Sequence, residues 1–284
     1  MSIRQITIVG TGLIGGSFAL ALKKNGFHGW IVGCDRDAEL QRARQRGAID
    51  EAHTNPADAI RNSDLVVLAT PVSAILEMID QLGPALPPQA LMTDVGSTKA
   101  EIVARAFKIF GKDAGMRFLG GHPMAGKEDG GIDLADPDLF EGATWFVTPG
   151  ARQNIHEGMS AEFLSWLEKI GARAAEIDAT THDELCAWIS HVPQMISTAL
   201  AAALVDHFGD HAAVMEAGGR ALREMTRISS SPYSMWRDIA LTNKKNIQQA
   251  LHALEQRLAH IRENLDTREL AEEFAKAHEL KKNC

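Results

Sequence analysis

The chain has 284 residues, of which 45% are hydrophobic and 23% charged, enough for one large or two ordinary globular domains with a sizeable core. Its formal net charge of −8 excludes a general affinity for nucleic acid or for an anionic membrane surface, so any acidic substrate must be held by local cations. Three scattered cysteines, Cys34, Cys186 and Cys284, suggest neither a disulfide framework nor a metal site.

The first predicted element is a buried strand, Ile6-Thr7-Ile8-Val9, running directly into Gly10-Thr11-Gly12-Leu13-Ile14-Gly15. This is a dinucleotide fingerprint in its proper setting: the first glycine permits the tight turn, the second lets backbone approach a pyrophosphate, and the third lets the next helix pack closely. The pyrophosphate would rest on the helix N-terminus. A second strand, Trp30 to Cys34, ends at Asp35, where an acid can bond a ribose 2′-hydroxyl. Asp35 favours NAD over NADP because it repels a 2′-phosphate, while Arg36 beside it is placed either to meet such a phosphate or to stack on adenine.

Strands and helices then alternate. Asp37 to Arg46 reads as helix, Asp64 to Ala69 as strand, Ala74 to Leu82 as helix, Ala90 to Val95 as strand and Lys99 to Phe110 as helix. Met116 to Leu119, Ala143 to Val147 and Arg173 to Ile177 complete the strands, with a helix from Glu162 to Ile170. The pattern predicts an α/β domain with a doubly wound, mainly parallel sheet over residues 1–179. From about Thr180 strand signals vanish, and residues 180–284 read as an all-helical domain with helices Glu184 to Phe208, His211 to Met225, Ser234 to Asn264 and Thr267 to Leu280. Apolar positions such as Ile196, Leu200 and Leu204 give the first of these more apolar surface than a small helical unit hides alone, which predicts a homodimer. Nothing at the N-terminus resembles a signal peptide, and the uncharged run Met195 to Val205 is too short to span a bilayer, so a cytoplasmic protein is expected.

Sites in doubly wound sheets lie beyond the carboxyl ends of the strands. Three segments occupy such positions: Thr70-Pro71-Val72, Asp94 to Lys99, and Gly120 to Gly126. Within the last, His122 lies between glycines and a proline, with an intrinsic pKa suited to acid–base work, and is the best candidate base. Ser97 reads equally as a helix N-cap or as a site residue. Arg227 reads either as an intrahelical partner of Glu224 or as a guanidinium fork for a carboxylate.

The chain resembles the prephenate and arogenate dehydrogenases of tyrosine biosynthesis over nearly its whole length. The likeness rests on Gly10 to Ser17, Ala69 to Val72, Asp94 to Lys99, Gly121 to Gly126, Ile189 to Pro193, and Thr226-Arg227-Ile228 with Met235 to Asp238. It implies an N-terminal Rossmann domain, a C-terminal helical dimerisation domain, and NAD-dependent oxidative decarboxylation of prephenate to 4-hydroxyphenylpyruvate, or alternatively of arogenate to tyrosine. By the same resemblance, His122 accepts a hydrogen bond from the ring hydroxyl and Ser97 positions His122 and the nicotinamide. Arg227 binds a substrate carboxylate, His191 and Trp236 line the pocket, and Glu128 lies near the substrate side chain. Gly10, Gly12, Leu13, Ile14, Gly15, Asp35, Arg36, Thr70 and Pro71 form the cofactor side. Gln194, Glu224 and Lys127 depart from the family pattern; Lys127 favours the dianionic keto acid, because arogenate's ammonium would meet a like charge. Two rivals are a different two-domain dehydrogenase and a non-catalytic nicotinamide-sensing dimer, which needs neither His122 nor Arg227. No appended regulatory domain is expected, since no further αβ pattern follows residue 180.

Overall fold

The computed structural model describes residues 2–127, 129–150, 153–209 and 211–282. Eight strands build one sheet: β1 (Gln5–Val9), β2 (Trp30–Cys34), β3 (Glu51–His53), β4 (Leu65–Leu68), β5 (Leu91–Asp94), β6 (Phe118–Pro123), β7 (Thr144–Thr148) and β8 (Arg173–Glu176). Their order is β3-β2-β1-β4-β5-β6-β7-β8, and only the β6–β7 pair is antiparallel. The chain winds outward from β1 to β3 and then crosses back to β4, which opens a crevice at the carboxyl ends of β1 and β4. Both faces of the central strands are covered by helices, and every residue of β4 and β5 is buried. On one face Trp145 packs among Phe18, Phe140 and Phe163.

Two local expectations change. Residues Ala114–Arg117 are helical, and the strand begins at Phe118 and runs through His122 to Pro123. The consecutive glycines signal a loop in sequence, yet here they serve sheet packing. A Cβ on Gly120 would sit 2.1 Å from the Thr148 hydroxyl, and one on Gly121 would sit 2.6 Å from the Asp94 carbonyl oxygen. His122 is therefore held within the sheet, opposite Phe146 of β7, rather than on a loop after it. The short edge strand Glu51–His53 has no apolar alternation and gave no sequence signal.

The helical half starts at Ala179, earlier than the periodicity suggested, and runs Ala179–Cys186, a π-helical turn Ala187–His191, and Val192–Phe208. Pro193 explains the interruption, since it cannot donate to the helical ladder and the preceding turn widens around it. The third expected helix is split at Asn243 into Tyr233–Thr242 and Lys244–Glu263, and the second at Gly218-Gly219 into His211–Ala217 and Arg220–Thr226. The run Ala179–Phe208 is long and apolar enough, by length and composition alone, to cross a membrane, although the uncharged stretch within it is short. Its first half is instead packed on the sheet domain, with His182, Asp183 and His191 buried. Further contacts tie the halves together: Ser73 donates to the Asp238 carboxylate through its backbone N–H at 3.0 Å and through its hydroxyl, and the Thr98 and Thr242 hydroxyls lie 2.8 Å apart.

Candidate active site

At the carboxyl end of β1 the three fingerprint glycines meet three different demands. Gly10 has φ +96° and a Cβ there would lie 2.4 Å from the Ala69 carbonyl oxygen; a Cβ on Gly15 would lie 2.0 Å from the Gly10 carbonyl oxygen. Over Gly12, by contrast, nothing stands within 4 Å, which leaves room for a ligand against the backbone at the start of the helix Leu13–Lys24. Asp35 follows β2, and its Oδ2 accepts hydrogen bonds from the Thr11 backbone N–H at 2.7 Å and the Thr11 hydroxyl at 3.2 Å. Arg36 is largely exposed, 3.7 Å from Glu39. A cleft of about 360 Å³ runs on from this turn past Leu13, Ile14, Thr70, Pro71 and Ser97. The Thr70 hydroxyl is buried there without a hydrogen-bond partner among the described residues. An open glycine, a helix N-terminus and an orphaned hydroxyl in one cleft fit a bound dinucleotide.

A second cleft of about 440 Å³ shares Leu13, Ile14, Ser97 and Met235 with the first and is lined by His122, His191's neighbour Ser190, Gln194, Arg227 and Trp236. It lies between the sheet domain and the helices, so a ligand in it would abut one in the nucleotide cleft. At its floor His122 is only 7% exposed. Its Nδ1 lies 2.9 Å from His182 Nε2, and His182 Nδ1 lies 2.8 Å from Asp183 Oδ1. Asp183 in turn accepts the backbone N–H groups of Lys99 at 2.6 Å and Ala100 at 2.9 Å, at the start of the helix Ala100–Phe110. Burial, reinforced by His182 and the Lys99 ammonium, holds the His122 imidazole well below its ordinary pKa, so it is neutral at physiological pH.

His191, completely buried in the π-helical turn, has its Nδ1 3.1 Å from the Asn243 side-chain amide, which also donates to the Asp183 backbone carbonyl at 2.7 Å. Its Nε2 meets no strict hydrogen-bond geometry among the described residues, although the ring lies against the Ser97 backbone. Burial pushes this imidazole down to about 4. The Trp236 indole meets the His191 ring edge to face at 6.0 Å, and its Nε1 is buried without a partner among the described residues.

The structure brings His122, Ser97, Arg227 and Trp236 to one cleft, with Leu13 and Ile14 joining it to the nucleotide side. Ser97 is not an N-cap: the helix begins at Ala100 with Lys99 in the cap position. The bond that orients His122 runs to His182 rather than to Ser97. Glu224 pairs with Arg220 at 2.6 Å, and Arg227 lies on the cleft wall. Gln194 donates to the Ile228 carbonyl at 2.9 Å and so pins the turn that carries Arg227. Lys127 lies on the wall of both clefts, but it also bonds the Leu134 carbonyl at 3.0 Å and approaches Asp136 to 3.4 Å. Glu128 lies outside the described residues.

Sequence reasoning missed His182, Asp183 and Asn243. The only signal for the first two is the adjacent His-Asp pair early in the first helix after β8, polar residues on what becomes a buried face. It also left Lys99 without a role: its ammonium is fully buried and ion-paired with Asp94, whose carboxylate accepts from Gly96 N at 2.8 Å and Gly121 N at 3.2 Å. Cys186 Sγ lies 3.4 Å from His182 Nε2, so His122, His182 and Cys186 place three possible ligand atoms within 4.8 Å of one another. Burial pushes the Cys186 thiol up to about 12 and the Lys99 ammonium is close by; both oppose a bound cation, and the trio reads as a hydrogen-bonded group.

Residues 18–176 match the family description "Prephenate dehydrogenase, nucleotide-binding domain" and residues 178–279 match "Prephenate dehydrogenase, dimerization domain". The chain is 33% identical over 243 residues to the prephenate dehydrogenase of Lactococcus lactis subsp. cremoris (strain MG1363), an alignment covering 84% of this chain and 65% of that protein. The chain thus spans less than two thirds, 65%, of the length of that curated relative. Its fold superposes on the crystal structure of prephenate dehydrogenase from A. aeolicus in complex with hydroxyphenyl propionate and NAD+ with a TM-score of 0.86, at 32% identity, covering 99% of this chain and 97% of the other. Arogenate dehydrogenase from Synechocystis superposes with a TM-score of 0.75 at 28% identity, covering 98% and 96%. A fingerprint turn and a histidine-floored cleft between two domains, each of which matches its own family description, establish that this chain belongs to the prephenate dehydrogenase family.

Proposed function

We propose that this protein is an NAD-dependent prephenate dehydrogenase, converting prephenate to 4-hydroxyphenylpyruvate in tyrosine biosynthesis. The observation that carries the reading is His122: a buried, neutral imidazole whose Nδ1 is engaged from behind, on the floor of a cleft with the fingerprint turn on one side and Arg227 and Trp236 on the other. His122 would accept a hydrogen bond from the ring hydroxyl through Nε2, easing that oxygen toward carbonyl character as the ring carbon gives up hydride. NAD, when bound, supplies the hydride acceptor. Loss of carbon dioxide makes the ring aromatic, so the net change is prephenate plus NAD+ to 4-hydroxyphenylpyruvate, carbon dioxide and NADH.

The remaining residues orient the substrate. Arg227 offers a guanidinium fork to a carboxylate, and the Trp236 indole N–H, buried on the cleft wall without a partner among the described residues, needs one, while His191 is fully buried, lines neither cleft and backs Trp236 through its ring. Ser97 lies on the wall of both clefts, suited to the junction between nicotinamide and substrate; Glu128, outside the described residues, is proposed near the substrate side chain on the family resemblance alone. Gly10, Gly12, Leu13, Ile14, Gly15, Thr70 and Pro71 would hold the dinucleotide, and Asp35 would select NAD by repelling a 2′-phosphate. The adjacent match boundaries at 176 and 178 support a division into residues 1–179 and 180–284. A homodimer is supported by the dimerization-domain match and by the apolar residues the helical domain leaves exposed. An acidic net charge and relatives in amino-acid biosynthesis support a cytoplasmic protein.

Arogenate is the second reading, favoured by one observation: the contact of Lys127 with Asp136 offsets the charge that would repel an ammonium group. Purified protein given NAD or NADP with either substrate is expected to form NADH fastest with prephenate and NAD, and His122→Asn to lose at least a hundredfold in kcat, about the contribution of a positioned base. No reduction with either substrate by folded, NAD-binding protein would overturn the dehydrogenase reading; arogenate used more efficiently would reassign the substrate.

A further inference from the structure

Asp183 stands at the far end of the chain of contacts behind His122. Each of its oxygens accepts a backbone N–H, Oδ1 from Lys99 and Oδ2 from Ala100, so the carboxylate meets His182 as an acceptor. His182 Nδ1, 2.8 Å from Oδ1, must then carry the proton. Burial lowers the pKa of His182 and keeps it neutral, which leaves Nε2 as a lone-pair acceptor. Nε2 sits 2.9 Å from His122 Nδ1, a distance at which one of the two nitrogens must donate, and the Cys186 thiol at 3.4 Å is the longer contact to the same lone pair. His122 Nδ1 is consequently the protonated nitrogen, and Nε2 on the cleft side is the lone pair.

We propose that His182 and Asp183 are positioning residues that fix the tautomer of His122, so that its cleft-facing Nε2 is a hydrogen-bond acceptor. The opposite tautomer would present an N–H to the substrate hydroxyl and could not take its hydrogen bond. Two imidazoles and a carboxylate in series thus do for a hydroxyl-bearing ring what the carboxylate of a hydrolytic triad does for its histidine. The same frame treats His191 in the opposite sense. Asn243 Nδ2 donates to His191 Nδ1, because Asn243 Oδ1 is taken by the Asn246 amide at 2.8 Å, and so the His191 proton is on Nε2. The frame therefore holds His122 as an acceptor toward the cleft and the fully buried His191 beside it as a donor. The role in turnover rests on the dehydrogenase reading above; the tautomer assignment does not.

The first test is therefore independent of catalysis. In protein labelled with ¹⁵N-histidine, NMR at neutral pH is expected to show His122, assigned by its absence from His122→Asn, protonated at Nδ1 with an unprotonated Nε2. A proton on Nε2 of His122 in the wild-type protein overturns the proposal, whatever the activity. The second test uses two variants. His182→Gln can still donate an amide N–H to Asp183 and offer a carbonyl oxygen to His122 Nδ1, whereas His182→Leu fills similar space with no acceptor. Expected is a loss of about 10²–10⁴ in kcat for His182→Leu, with KM for NAD unchanged, and retention within about tenfold for His182→Gln. Equal losses in both variants, with NAD binding and the His122 tautomer unchanged, would make His182 merely structural and overturn the positioning role. Wild-type protein with the expected tautomer but no turnover would instead leave the tautomer device standing and sink the dehydrogenase reading.

Discussion

At the scale of single residues, burial is the dominant force on the site's chemistry. Desolvation lowers His122, His182 and His191 together, so all three are neutral where an ordinary histidine begins to charge. For activity, the acid limb of kcat/KM is expected below pH 6.5, the ordinary histidine value, and a limb at or above it would show that His122 is not the titrating acceptor. For stability the sign follows from proton uptake. The folded pKa of His191, about 4, lies below its unfolded value, so between the two the unfolded chain binds more protons, and stability falls as pH drops from 6.5 toward 4. That one group contributes on the order of 3 kcal/mol of loss across this window, to be read from urea unfolding at neutral pH and near pH 4.5 for wild type and His191→Asn. A variant that loses as much stability as wild type would remove His191 as the cause. Legibility also divides at this scale. Gly10, Asp35 and His122 announce themselves because their chemistry is local: a turn, a strand end, a ring between glycines. His182, Asp183 and Asn243 do not, because their partners are 60, 84 and 52 positions away in the chain, in His122, Lys99 and His191.

At the scale of elements, β5 and the helix Ala100–Phe110 are joined by the buried Lys99–Asp94 pair, which also fixes the segment carrying Ser97. Two groups taken out of water in this way contribute little net stability while paired, but removing one strands the other. Lys99→Met leaves the Asp94 carboxylate buried with only the Gly96 and Gly121 N–H groups, and is expected to cost about 3–5 kcal/mol in denaturant unfolding. A cost below about 1 kcal/mol would mean that water or a rearranged neighbour replaces the ammonium. The strand–helix alternation that frames this pair was readable from periodicity because each element buries one continuous apolar face. What periodicity could not give were the interruptions. β6 passes through two glycines because β5 and β7 crowd it, and the long helix widens at Ala187–His191 because of Pro193. Both irregularities sit at the site: one carries His122 and the other His191.

At the scale of the whole molecule, the clefts exist because two domains of different composition meet edge to edge, and the helical one is unfinished. Of the helix Val192–Phe208 only Val192, Gln194 and Ser197 are buried, while Val205 and Phe208 are 44% and 58% exposed. Leu241, Leu258 and Phe274 on later helices are also exposed. The proposed homodimer would cover this apolar surface, most economically through a twofold axis. The turn that holds Arg227 is pinned by Gln194 on that same helix, so the proposed association and the proposed substrate contact would share a support. A charge placed at the exposed apolar position, Val205→Glu, is expected to shift sedimentation from dimer to monomer while leaving the sheet domain's NAD binding intact, and to raise KM for prephenate more than KM for NAD. If the variant stays dimeric, the interface lies on another face of the helical domain. If it becomes monomeric with both constants unchanged, the site is complete within one chain and the dimer serves stability alone.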